Sequence, residues 1–290
     1  MARPVHDLLV RPGTGRMLGA GRTSAYFAVD GFVIALTTAG VPLLPNAIRL
    51  AAREADLSGV PHGSRVRFEP GQIRAEGLSV DWDAEQPPSW EPLLSGSSPE
   101  DRLKVLNRAQ ALGELAGAID LELLAGNAAV AALWRAVAAE DGTALVRAAA
   151  KLIGRGPGLT PEGDDLLVGT VATTLAWALA LGRSRQRLWL SQLLPDDLRQ
   201  RTTAISATLL ELALAGCLPE PLATVLDVNS PDDHWRGAWA QLLRLGHSTG
   251  RAVALAAAST GTALCAASAP RNGTLGEVTI GGSEPPRRAA

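Results

Sequence analysis

The sequence predicts an α+β fold. A β-rich N-terminal module over residues 1–95, a small antiparallel barrel or curled sheet, should precede an α-helical C-terminal domain over 96–270. Three observations carry this expectation. Up to about residue 95, short runs rich in β-branched and aromatic residues alternate with turn pairs such as Asp30-Gly31 and Pro70-Gly71. Beyond it, long alanine- and leucine-rich segments follow one another, with glycine just past several of them. The chain has 290 residues, 47% of them hydrophobic, which is enough to bury a sizeable core and excludes intrinsic disorder.

In chain order, strands are expected at 24–29 and 32–37 around Asp30-Gly31, a pair suited to a tight hairpin. Strands at 64–69 and 72–75 flank Pro70-Gly71, and 78–82 follows another glycine, which makes four to six short strands in all. Residues 83–99 hold Gln86-Pro87-Pro88-Ser89 and Ser95-Gly96-Ser97-Ser98-Pro99 and read as a linker. Ser98 with Pro99 opens a helix to about 117, and Asp120 opens the next, to 140. Further helices are expected at 143–153, 161–181, 196–215, 219–227, 231–245 and 249–268, with Gly154, Gly182, Gly216 and Gly246 at C-cap positions. Residues 271–290 are expected to be a disordered tail.

Composition excludes several function classes. A formal charge of −2 lacks the basic excess of a nucleic-acid binder. Cys217 and Cys265 lie in apolar, alanine-rich stretches, as small buried side chains of a reducing compartment do. With two cysteines and four histidines at no zinc-like spacing, no structural zinc site is expected. The most apolar run, 166–181, is shorter than the roughly 20 residues of a membrane span. The N-terminus lacks an apolar signal core, so a cytoplasmic protein without membrane or nucleic-acid partners is expected. Of 27 basic residues only Lys104 and Lys151 are lysines, so Schiff-base chemistry has few candidates.

The most informative stretch is Gly154-Arg155-Gly156-Pro157-Gly158-Leu159-Thr160-Pro161-Glu162-Gly163-Asp164-Asp165. It reads as a loop feeding a helix start, with Thr160 as N-cap and Pro161 in the first helical position. Gly156 and Gly158 allow a sharp turn, so that free N–H groups and the positive helix end could face an anion. In the simpler reading, Asp164 and Asp165 stabilise the helix start by roughly 0.3–1 kcal/mol and the glycines make a turn. Gly163 and Gly169 each weaken the helix by about 1 kcal/mol relative to alanine, which points to close packing or a ligand. No Lys-Ser/Thr follows the glycines, so this is not a Walker loop.

A second turn, Gly246-His247-Ser248-Thr249-Gly250-Arg251, precedes another alanine-rich helix, with Ser248 or Thr249 as its cap. His247 is either a proton-transfer group or a structural histidine. Thr202, Thr203 and Ser206 fall on the expected 196–215 helix, Thr202 and Ser206 on one face. They either bond back to their own backbone or line a polar pocket.

The segment Gly156-Pro157-Gly158-Leu159-Thr160-Pro161-x-Gly163-Asp164-Asp165 resembles the signature of a bacterial AllH-like family. That family is associated with a subunit of oxamate carbamoyltransferase, from anaerobic allantoin breakdown. Thr202-Thr203-x-Ile205-Ser206-x-x-Leu209-Leu210 and Gly246-His247-Ser248-Thr249-Gly250 are similar to its later motifs, in the same order. The 24–37 hairpin and Pro45-Asn46-Ala47-Ile48 are similar to its less distinctive N-terminal half. The resemblance thus extends over most of 20–265.

What the resemblance implies is transfer of a carbamoyl group between phosphate and oxamate, with partner subunits or within a homo-oligomer. On that basis Gly156, Gly158 and Thr160 are expected to contact a small anionic substrate. Asp164 and Asp165 would position a substrate amide, or a magnesium ion as the one cofactor considered, with His247 the third expected catalytic residue. Thr202, Thr203, Ser206, Ser248 and Thr249 would complete the pocket. In one departure from the family pattern, Gly250-Arg251-Ala252 stands where relatives often carry Gly-x-Asp. Two other readings stay open: a non-catalytic metabolite-binding or regulatory module, and a magnesium-dependent hydrolase using Asp164 and Asp165.

Overall fold

The computed structural model describes residues 1–52, 56–85, 90–91, 93–121 and 127–266. The expected disordered tail at 271–290, the end of the 249–268 helix, part of the linker and part of the 120–140 helix lie outside the described residues.

The N-terminal part is a curled seven-stranded sheet, a half-barrel. Its strands are β1 (Gly13–Ala20), β2 (Ser24–Val29), β3 (Phe32–Thr37), β4 (Ala47–Arg49), β5 (Arg65–Glu69), β6 (Gln72–Ala75) and β7 (Leu78–Asp81). They lie in the order β4-β3-β2-β1-β5-β6-β7, antiparallel throughout except for β3 and β4, which run parallel. The Asp30-Gly31 hairpin forms as the sequence predicts, in register from Ser24–Thr37 to Val29–Phe32. A short helix, α1 (Arg3–Leu9), lays Val5 and Leu9 into the core that the half-barrel encloses, with Met17, Phe27, Val66 and Ile73. Two strands and this helix were not expected. Glycines at positions 13, 15 and 19 mask the alternation of β1, and β4 is only three residues long.

The C-terminal part is helical and has its own hydrophobic core. One 3-10 turn at Pro99–Asp101 leads into α2 (Arg102–Ala116). The segment opens at Ser98 with Pro99, as the sequence predicts, and the Ser98 amide donates to the Asp101 carboxylate at 3.0 Å. Next come α3 (Ala128–Ala139), α4 (Gly142–Leu152), α5 (Glu162–Trp177), α6 (Ser184–Leu190) and α7 (Leu198–Arg201). The order ends with α8 (Ala204–Leu214), α9 (Glu220–Leu226), α10 (Asp232–Leu243) and α11 (Thr249–Ala266). Gly154 and Gly216 adopt positive φ directly after the C-caps of α4 and α8, as the sequence predicts, whereas α5 and α10 end at Trp177 and Leu243, before the positive-φ Gly182 and Gly246.

The central element is α5, buried on every side from Glu162 to Trp177 except at Leu175. Helix α11 crosses it at Gly169, where a Cβ would collide with the Val253 carbonyl and Ala256. The cost of glycine in mid-helix is therefore offset by packing, and the expectation of close approach holds without a ligand. Trp177 fills the other end of α5, its Nε1 donating to the Leu226 carbonyl at 2.9 Å. Thr173 and Thr174 donate back to Gly169 and Thr170 carbonyls, which lets hydroxyls sit in a dry core. Among the described residues no helix is long and apolar enough to cross a membrane.

Sheet and helices meet along β3, which is buried on both faces. Ile34 and Leu36 belong to the sheet's core, while the Val33 amide donates to Thr208 Oγ1 of α8 at 3.1 Å. The β3–β4 crossover also touches the helices, the Glu220 amide donating to the Leu43 carbonyl at 2.9 Å. The described part of the expected linker is tied down at both ends. Arg3 N donates to the Trp90 carbonyl, Leu94 N to Gly216 O and Ser97 N to Ala176 O.

Candidate functional site

A cavity of about 450 Å³ opens at this seam, a volume suited to a small ligand. Its helical wall comes from the glycine loop (Gly158, Thr160), from Asp165 on α5 and from the turn before α11 (His247, Ser248, Thr249). Two stretches about 90 residues apart in sequence are thus brought together, and the Thr160 and Thr249 hydroxyls hydrogen-bond at 2.6 Å.

The other expected residues stand behind this wall. Asp164 accepts the Gly154 amide at 2.9 Å on one oxygen and the Thr202 hydroxyl on the other. Thr203 Oγ1 donates to the Leu159 carbonyl at 2.6 Å and accepts the Ser206 amide at 3.1 Å. Together they clamp the glycine loop against the junction of α7 and α8. Gly156 packs on the start of α5, where a Cβ would press on the Glu162 amide at 2.8 Å.

Two local expectations need correction. The 196–215 helix breaks at Thr202, which is extended at φ −141°, and Thr203 is the N-cap of α8. Thr202 and Ser206 therefore do not share one helix; no glycine or proline between 196 and 215 marks the break. At α5 the N-cap is Pro161, not Thr160, whose hydroxyl is bound to Thr249 instead. The loop also folds back on the helix start. Gly163 N donates to Arg155 O at 2.8 Å, and Asp164 N and Asp165 N to Pro161 O at 2.9 and 3.2 Å. These three amides are already satisfied and offer no free cradle for an anion.

Burial raises the pKa of Asp164, and the Thr202 and Gly154 hydrogen bonds offset part of that rise. Asp165 is raised well above the usual carboxylate range, first by desolvation and then by the like charges of Asp164 and Glu162; Thr249 and Thr160 oppose the shift. Asp165 Oδ2 is nonetheless buried without a hydrogen-bond partner among the described residues. His247 is exposed at the rim, its carbonyl accepting from Arg251 at 3.2 Å. Among the described residues no group of three or more His, Cys, Asp or Glu is placed to hold a metal ion.

The opposite wall comes from the sheet module and was not anticipated as part of a site. Tyr26 of β2 and Leu44, Pro45 and Asn46 of the crossover face the loop, with Ile205 and Leu209 of α8. Cys217 also lines it, its thiol pKa raised by burial. No lysine or arginine lines this cavity among the described residues. An adjoining polar cleft of about 960 Å³, sharing Tyr26, Leu44, Leu245 and Gly246 with it, carries Arg49 and Arg244.

Residues 152–260 match the family model for the oxamate carbamoyltransferase subunit AllH. Over that segment the chain is AllH-like. The segment contains the glycine loop and the turn before α11, which build the helical wall, and the α7–α8 junction that stands behind it. The sheet module, with Tyr26 and Asn46, lies outside the match, so the resemblance expected from residue 20 onward is found in the helical part. No solved structure matches the chain.

Proposed function

We propose that this protein is a carbamoyltransferase-type subunit whose cavity holds a small substrate of oxamate or oxalurate chemistry, working with partner subunits in the cytoplasm. The observation that supports it best is the convergence of three separated stretches of the AllH-like segment on one small cavity. In one direction, oxalurate and phosphate would give oxamate and carbamoyl phosphate. A phosphate oxygen bonds to the carbamoyl carbon, the C–N bond to the oxamate nitrogen breaks, and the proton leaving phosphate ends on that nitrogen.

On this reading Asp165 acts in its neutral form, donating a hydrogen bond toward a carbonyl oxygen that gains charge. Thr160, Ser248 and Thr249 are hydroxyl donors for the substrate's anionic end, aided by the positive end of α11. His247, at the rim, is the group exposed to exchange a proton with solvent. Arg49 and Arg244 in the adjoining cleft would face the phosphate, a charge the cavity itself has no cation to meet. Asp164, Thr202, Thr203, Ser206 and Gly156 hold the loop in place.

The test is phosphate-dependent turnover of oxalurate by the chain co-purified with its partner subunits, followed by oxamate release. Turnover that survives Asp165→Leu unchanged, or no turnover by the assembled complex, would refute the proposal. A second reading, a metabolite-binding subunit without chemistry of its own, is favoured by the commitment of both Asp164 oxygens to structural partners, the Gly154 amide and the Thr202 hydroxyl. It predicts ligand-induced thermal stabilisation with no turnover in any assembly.

A further inference from the structure

Two polar atoms in residues of the cavity wall are buried without a hydrogen-bond partner among the described residues: Asn46 Oδ1 and Asp165 Oδ2. Both residues are almost wholly buried, at 1% and 2% exposure. Unpaired polar groups inside proteins are uncommon, and two of them in residues on opposite walls of one cavity are what a bound ligand would resolve. They come from different parts of the chain, Asn46 from the β3–β4 crossover and Asp165 from the first turn of α5.

The orientation of the Asn46 amide follows from its surroundings. Its Nδ2 donates to the Val33 carbonyl at 2.9 Å, which only the NH2 end can do. The Val33 amide is itself bonded to Thr208, so both backbone groups of Val33 are engaged and the Asn46 side chain is held in place. The oxygen end is then a fixed acceptor that lacks a donor.

We propose that the cavity recognises a primary amide or ureido group, whose two N–H bonds are accepted by Asn46 Oδ1 and the Asp165 carboxyl. An NH2 group carries two hydrogens, one for each of these acceptors, where a hydroxyl carries one. The surrounding Leu44, Val168, Ile205 and Leu209 favour an uncharged NH2 over an ammonium group, which would be desolvated among them. Asp165, when neutral, also presents an O–H beside its acceptor oxygen, the complement of an amide's N–H and C=O. The inference rests on the reading that carbamoyl or oxamate compounds occupy this cavity, since both carry such an NH2. It assigns Asn46, outside the AllH-like segment, as the residue that recognises the amide.

Calorimetry on the full chain with oxamate, carbamoyl phosphate, propionamide and pyruvate tests it, because pyruvate replaces the oxamate NH2 by a methyl group of similar size. Oxamate should bind at least tenfold more tightly than pyruvate, a difference of about 1.4 kcal/mol. Asn46→Ala should remove that preference by weakening oxamate alone. Should this variant fail to fold, the wild-type comparison of oxamate with pyruvate decides by itself. Equal binding of the two acids overturns the amide assignment while leaving the cavity as a site for such acids. Binding of propionamide, with neither oxamate nor carbamoyl phosphate bound, supports the amide site and overturns the carbamoyltransferase reading. Binding of none of the four overturns both.

Discussion

Replacing Thr208 by valine should destabilise the protein by about 2 kcal/mol with almost no change in side-chain shape. Thr208 and Val33 are both 0% exposed, and the Val33 amide donates to Thr208 Oγ1 at 3.1 Å. Valine fills the same space but accepts nothing. The Val33 N–H would then be left without a partner where no water reaches it, a loss of roughly 1–3 kcal/mol. For a chain of this size each kcal/mol lowers the melting temperature by about 2–4 °C, so a fall of roughly 4–8 °C is expected. Urea denaturation followed by circular dichroism, with calorimetric melting alongside, measures both quantities. Thr208→Ser keeps the acceptor and loses only a methyl group, so it should retain more stability than Thr208→Val. A valine variant within about 0.5 kcal/mol of wild type, or a serine variant less stable than it, would show that this hydrogen bond does not hold sheet to helices.

Three further outcomes are expected. Asp165→Asn should be more stable than wild type at pH 8. The folded-state pKa of Asp165 is raised, so its favourable contribution is complete below the unfolded carboxyl value of about 3.9 and is lost as pH rises through the folded value. Melting curves of the two proteins should therefore converge toward pH 4, and an asparagine variant that melts lower at pH 8 would contradict this. Gly169→Ala should cost about 1–3 kcal/mol despite alanine's better helix propensity, because its methyl meets the Val253 carbonyl across the α5–α11 contact; chemical denaturation would reveal a gain instead if the helices can separate freely. Trp177→Phe should lose about 1–3 kcal/mol, leaving the buried Leu226 carbonyl without its 2.9 Å donor, and an unchanged denaturation midpoint would argue against that bond.

The parts of the fold that could be read from the sequence are those specified by neighbours in the chain. Asp30-Gly31 dictates its hairpin locally, and Gly154 and Gly216 dictate the ends of α4 and α8. What escaped depends on distant partners. Strand β4 is three residues long and exists because it pairs in parallel with β3 across the crossover. The break at Thr202 carries no glycine or proline to announce it, and the partner that holds Thr202 is Asp164, 38 positions earlier.

The candidate site divides the same way. The glycine loop and the turn before α11 announced themselves through composition, and the cavity does form between them. Composition could not tell which of two adjacent aspartates faces inward. One turn of backbone geometry commits Asp164 to the loop and leaves Asp165 on the cavity wall. Asn46 stands out only as part of Pro45-Asn46-Ala47-Ile48, and its place in the site depends on Val33 and the cavity around it.

A cavity walled by two cores has a thermodynamic consequence: whatever binds there is also a staple. At a hundred times its dissociation constant such a ligand adds about 2.7 kcal/mol to the association of half-barrel and helices. A substitution along the β3–α8 seam that favours an undocked state weakens apparent affinity in proportion to the docked fraction it removes, and ligand restores docking in turn. Affinity in this protein would then be adjustable from residues that never touch the bound molecule, and a partner subunit gripping both halves could raise it without entering the cavity.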